Sequence, residues 1–102
     1  MSDVFVCTTS DVAPGAAGGF TVEGKNIALI HSAADRWFAM DDRCSHGRFK
    51  LSLGDVGDEE IECTRHGAAF DLHDGKPLTP PATAPVKTYP VRVDGEGVYI
   101  SL

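Results

Sequence analysis

The stretch Cys44-Ser45-His46-Gly47 … Cys63-Thr64-Arg65-His66-Gly67 sets two short Cys/His pairs, each followed by glycine, on either side of a sixteen-residue segment, residues 47–62. Thiolate and neutral imidazole are the side chains that bind borderline and soft transition ions. Two thiols and two imidazoles brought in from two loop tips therefore read as one metal centre, and the rest of the chain as the frame that holds those loops.

Two kinds of centre compete. A structural zinc would take all four side chains on one tetrahedral ion, whereas a [2Fe–2S] cluster would take two protein ligands on each iron and fill the remaining positions with sulfide. Zinc fingers pair like with like, as Cys-x₂₋₄-Cys followed by His-x₃₋₅-His, while each pair here mixes one Cys with one His. A zinc-binding interaction module stays open on the residues alone, and so does a disulfide.

The mixed order, Cys-x-His then Cys-x₂-His, resembles the Rieske [2Fe–2S] pattern. The resemblance continues through Leu51-Ser52-Leu53-Gly54, Cys63-Thr64-Arg65-His66-Gly67-Ala68-Ala69-Phe70-Asp71, Gly75-Lys76-Pro77 and Pro81-Ala82, so that it covers nearly the whole chain. It implies one [2Fe–2S] cluster, with Cys44 and Cys63 on a buried inner iron and His46 and His66 on an outer iron facing the partner. It also implies an all-β Rieske fold, one domain over residues 1–102, with antiparallel base sheets built from both chain ends and an inserted cluster-binding subdomain at about residues 43–74. Imidazole in place of thiolate makes an added electron easier to accept than in all-Cys clusters. In high-potential respiratory relatives a disulfide joins the ligand loops and hydroxyls donate hydrogen bonds to sulfur. Those positions here are Phe49 and Arg65, and Ala68 and Phe70, none of which can do so. A low potential follows, with outer histidines that keep their protons above neutral pH.

One hundred and two residues suit a single small domain, and 42% hydrophobic with 24% charged residues is an ordinary globular balance. No apolar run reaches the length of a membrane span, and Met1-Ser2-Asp3-Val4 does not begin a signal peptide, which points to the cytoplasm. The net charge of −6 argues against nucleic-acid binding and suits basic docking faces on partners. Cys7, the third cysteine, reads as a small buried hydrophobe in a strand.

Val4 to Thr8 reads as a first strand. Phe20-Thr21-Val22-Glu23 and Ile27-Ala28-Leu29-Ile30-His31 read as a hairpin turning at Gly24-Lys25, after which Arg36 to Met40 leads through Asp41-Asp42 into the first ligand loop. Trp37 reads as packing. Ala69 to Leu72 is a strand ahead of a turn at Asp74-Gly75. Pro77, Pro80, Pro81 and Pro85 make an extended, stiff segment, which the resemblance would lay over the cluster as a third loop. Val86 to Val93 and Val98 to Leu102 form a terminal hairpin around Asp94-Gly95-Glu96-Gly97. His31 and His73 read as solvated or locally hydrogen-bonded. The acidic run Asp55, Asp58, Glu59, Glu60 and Glu62 reads as a solvated loop or a docking patch.

No catalytic constellation stands out: no nucleophile with a base, no phosphate-binding glycine loop, no additional site for mononuclear iron. The resemblance therefore implies a free-standing, monomeric electron carrier, taking single electrons from a flavin-dependent reductase and passing them to a terminal oxygenase. An accessory subunit of a larger enzyme, such as the small subunit of a nitrite reductase, is the rival.

Overall fold

Ile27-Ala28-Leu29-Ile30 is an unbroken apolar run, and all four residues are fully buried. Side chains of a strand alternate between its two faces, so such a run needs cover on both. The computed structural model, which describes residues 3–43, 50–63, 68–78 and 84–102, shows that cover. Ile27 and Leu29 join one core, with Cys7, Val12, Val22, Ala39, Tyr89, Val98 and Ile100. Ala28 and Ile30 join a second, with Met40, Leu51, Ile61, Cys63, Ala68, Phe70, Leu72 and Val86.

Three antiparallel sheets produce this layering. The central sheet runs β2-β3-β4-β8, from Ala16–Val22, Lys25–His31, Trp37–Asp41 and Thr88–Tyr89. The terminal sheet runs β1-β10-β9, from Asp3–Thr8, Gly97–Ser101 and Val91–Asp94, so both chain ends build it as expected. The third runs β5-β6-β7, from Asp55–Val56, Glu60–Glu62 and Ala69–Asp71. Beyond the strands the described residues hold only two single-turn 3-10 helices, Thr9–Asp11 and Leu51–Leu53.

Four expectations shift. The β2–β3 turn is Glu23-Gly24 rather than Gly24-Lys25: Glu23 has φ 48° and Gly24 φ 81°, the positive pair of a primed hairpin turn, whose twist matches its strands. β2 begins at Ala16 and runs through Gly18-Gly19, which are paired with Leu29 and Ala28. The expected strand Val86 to Val93 divides between two sheets at Pro90, because proline has no N–H for a ladder. The acidic run is a β-hairpin and not a loop. Glu60-Ile61-Glu62 buries Ile61 completely and exposes both glutamates, a period of two that the density of charge hides.

The proline segment starts as an extension of the third sheet. Pro77 bridges to Phe70, and the Leu78 N–H donates to the Ala69 carbonyl at 2.7 Å, so the chain runs antiparallel to β7 toward the Cys63 end. Residues 79–83, where a third loop over the cluster was expected, lie outside the described residues.

Candidate metal centre

Of the four expected ligands the structure describes Cys63; Cys44, His46 and His66 lie outside the described residues, as do Gly47, Phe49, Arg65 and Gly67. What it does describe are the feet of both ligand loops, and they meet in one place.

The first loop leaves from the end of β4 and returns at the 3-10 turn Leu51–Leu53. Asp42, buried to 7% exposure, locks these feet together. Its Oδ1 accepts from the Ser52 backbone N–H at 2.8 Å and its Oδ2 from the Ser52 hydroxyl at 2.8 Å, while its own N–H donates to the Asn26 carbonyl at 2.9 Å. A carboxylate taking two donors out of water makes the stronger kind of hydrogen bond. Gly19 of β2 leaves the room for it, since a Cβ there would lie 2.7 Å from Asp42 Oδ2 and 3.0 Å from Ser52 Oγ.

The second loop is the tip of the β6–β7 hairpin. The Cys63 N–H donates to the Ala68 carbonyl at 2.6 Å, closing the hairpin around residues 64–67. Cys63 is 1% exposed and packs in the second core with Leu51, Ala68 and Phe70. The two feet also touch through backbone: a Cβ on Gly54 would overlap the Glu62 carbonyl, one residue before Cys63. Glycine is needed at 54 for close approach, not for an unusual dihedral, because its φ of −81° is ordinary. Sequence reading singled out the glycines next to the ligands and missed Gly19, Asp42, Ser52 and Gly54 as supports. The signal for Ser52 and Gly54 was their place in the resembling stretch; Asp42 and Gly19 meet only in three dimensions.

His31 is buried at the far end of β3, where its Nδ1–H donates to the Val12 carbonyl at 2.8 Å and its Nε2 lies 2.5 Å from Asp35 Oδ1. Trp37 stacks on its ring at 4.0 Å. His73 is exposed, 3.5 Å from Glu59 Oε1 and edge-on to Phe38. Both are locally partnered, as expected. Cys7 is buried in β1, and burial, with Asp11 second, pushes its thiol above the ordinary range, which suits an inert core residue. Tyr89 donates its hydroxyl to Asp41 Oδ1 at 2.6 Å, and burial, helped by that carboxylate, pushes its pKa up to about 12. Among the described residues no group of three or more His, Cys, Asp or Glu side chains gathers to hold a metal.

The donor set fits a mixed-ligand [2Fe–2S] cluster. Cys63 is buried in the second core, while Arg43 and Lys50, the residues flanking the first loop, are exposed. The described feet of the two loops thus run from a buried residue, Cys63, to exposed ones, Arg43 and Lys50.

Comparison with known proteins agrees. The family described as the Rieske [2Fe-2S] domain matches residues 2–90. A 3-phenylpropionate/cinnamic acid dioxygenase ferredoxin subunit of Photorhabdus laumondii is 45% identical, covering 100% of this chain and 96% of its own. The ferredoxin of carbazole 1,9a-dioxygenase from Nocardioides aromaticivorans superposes with a TM-score of 0.90 at 32% identity, over 99% of this chain and 98% of that one. A chain in a complex of reduced oxygenase and oxidized ferredoxin in carbazole 1,9a-dioxygenase gives 0.87 at 33% identity, over 97% and 92%. Sheets, donor set and comparisons together show that the chain belongs to the Rieske [2Fe–2S] domain family, as a ferredoxin that carries electrons on one such cluster.

Proposed function

We propose that Cys44 and Cys63 hold the inner iron and His46 and His66 the outer iron, within a cluster-binding subdomain of about residues 43–74, and that the protein, a cytoplasmic monomer, shuttles electrons from a flavin-dependent reductase to a terminal oxygenase. When bound, the cluster supplies a centre that gains and loses one electron at a time. The observation that carries this reading is the convergence of both ligand-loop feet on one core of Leu51, Cys63, Ala68 and Phe70, with exposed Arg43 and Lys50 beside it. Cys63 anchors from the buried side, the Asp42–Ser52 clamp holds the first loop in register, and Gly54 lets the two loops approach. A rigid frame suits electron transfer, because donor and acceptor then need little rearrangement. Exposed Leu53 and Leu78, at 69% and 51%, stand beside the loop feet as apolar contacts for a passing partner.

The full-length relative is named for a dioxygenase of 3-phenylpropionate and cinnamic acid, so an oxygenase of aryl-substituted carboxylic acids is the system to test first. A nitrite reductase small subunit shares this fold at 25% identity, which leaves the accessory-subunit reading as the weaker one. The test is reconstitution. Purified protein should be red-brown, with the EPR signal of a mixed-ligand cluster, and should restore turnover to the reductase and oxygenase of a 3-phenylpropionate dioxygenase. His46→Cys or His66→Cys should retain some cluster with an EPR signal moved toward all-thiolate values, and Cys44→Ala should lose the cluster and much stability. An unchanged spectrum in Cys44→Ala would sink the ligand set, and a colourless, zinc-loaded protein would sink the electron-carrier proposal.

A further inference from the structure

The charge of this molecule is unevenly placed. Four of its nine lysines and arginines, Lys25, Arg43, Lys50 and Lys87, line one open cleft of about 790 Å³, together with Asp41 and Asp42. The cleft lies at the foot of the first ligand loop, where the start of β3, the end of β4 and the approach to β8 come together. Taken alone it sums to 4 − 2 = +2, while the remainder of the chain sums to 5 − 13 = −8, for the total of −6. Asp42 is buried and bonded to Ser52, and Asp41 accepts from the Tyr89 hydroxyl. The four cations, by contrast, are all exposed. Among the described residues Lys25 and Lys50 make no ion pair, and Lys87 lies over the Tyr89 ring at 5.2 Å. The acidic hairpin, with Asp55, Asp58, Glu59, Glu60 and Glu62, does not line this cleft, and its first strand β5 packs against β2.

We propose that this cleft docks a carboxylate-bearing face of a redox partner protein, so that the partner is guided to the cluster end by a positive field although the chain as a whole is acidic. The inference rests on the electron-carrier reading and reverses the simple expectation from net charge. Its four cations come from separate segments around an opening far larger than a single oxyanion, which suits several carboxylates spread over a protein surface. Steering of this kind acts mainly on association rate and fades with salt.

Holo-ferredoxin, reduced and then mixed with small inorganic oxidants, reads the local field without a partner. Oxidation by the hexacyanoferrate(III) anion should be fast at low ionic strength and slow as salt rises, the sign of attraction. The triple variant Lys25→Glu, Lys50→Glu, Lys87→Glu should lose about tenfold in that rate at low salt and show the opposite salt dependence, while hexaammineruthenium(III), a cation, should gain. Voltammetry on gold coated with carboxylate-terminated thiols should give faster electron exchange for wild type than an amine-terminated coating, and the triple variant should reverse that order. An unchanged visible and EPR spectrum certifies the variant; should charge reversal prevent folding, the Lys→Gln set carries the same signs at smaller size. If wild-type oxidation by hexacyanoferrate speeds up with salt, or exchange is faster on the amine coating, the acidic hairpin governs the field and the proposal is overturned. In the reconstituted system the triple variant should raise the ferredoxin concentration for half-maximal turnover with at least one partner. No change with either overturns the docking assignment while leaving the carrier function intact, whereas wild type inactive with both partners and a normal field at the cleft removes the oxygenase reading alone.

Discussion

Ala68 and Phe70 are fully buried beside Cys63, and neither side chain can donate a hydrogen bond. In high-potential respiratory relatives within the family that the sequence resembles, and from which this chain departs here, hydroxyls stand at these two positions and stabilise the negative charge that reduction adds. Without them the midpoint should fall in the lowest third of the Rieske range of about −150 to +300 mV. Returning one donor in Ala68→Ser, at about 1 kcal/mol for a neutral hydrogen bond, should raise it by about 40 mV, from the one-electron relation of 59 mV per factor of ten. Phe70→Tyr should move it the same way, at a larger cost in packing because Phe70 is enclosed. Protein-film voltammetry from pH 6 to 9, the span about neutrality in which imidazoles titrate, measures this. A wild-type midpoint well above 0 mV defeats the low-potential reading, and an Ala68→Ser midpoint no higher than wild type removes the hydroxyl argument.

Between β4 and the 3-10 turn at Leu51–Leu53, one carboxylate holds an element pair that sequence order alone leaves as two ends of a loop. Removing it in Asp42→Ala strands the Ser52 N–H and hydroxyl in a part-buried site, at a cost of about 2 kcal/mol. The loss should fall on the metal centre more than on the sheets. Visible absorbance should decay several-fold faster under an iron chelator while the far-ultraviolet circular dichroism keeps its β shape. Asp42→Asn, which keeps one acceptor oxygen, should lie between the two, and Gly19→Ala should resemble Asp42→Ala because its Cβ enters the same space. Cluster decay at the wild-type rate in Asp42→Ala would mean that the clamp does not hold the loop.

Across the whole molecule, the short strand β8 ties the chain's final third to the central sheet through two residue pairs, Ala39 with Tyr89 and Met40 with Thr88, and through the Tyr89 hydroxyl on Asp41. Tyr89 has a folded pKa of about 12, above its ordinary value of 10. A raised pKa means the folded state favours the protonated phenol. Its contribution is therefore complete below pH 10 and is lost as pH rises from about 10 to about 12, with a size on the order of 2 kcal/mol. Tyr89→Phe should be less stable than wild type at pH 8, by about 1 kcal/mol for the missing hydrogen bond, and the gap should narrow or reverse by pH 11, because phenylalanine has no proton to lose. Denaturant unfolding followed by Trp37 fluorescence at the two pH values decides it; a gap that stays constant would leave the tyrosine with no alkaline role.

What the sequence by itself determined is chemistry and period. Two cysteines and two histidines in mixed order pointed to the Rieske family before any fold was known, since donor type and spacing are local properties of the chain. The strands with alternation or an unbroken apolar run, β1, β3, β4, β7 and β10, were legible for the same reason. The β6 strand was obscured because its exposed positions carry glutamates that look like a solvated run, and the division at Pro90 because both halves are apolar enough to read as one strand. Only the tertiary structure decided that β3 is covered on both faces and that Asp42 reaches Ser52 over Gly19. It alone decided that Gly54 meets the Glu62 carbonyl, and that Lys25, Arg43, Lys50 and Lys87, as many as 62 residues apart, share one cleft. Those contacts join residues distant along the chain, and neither periodicity nor composition encodes which distant groups will be neighbours once three sheets have packed.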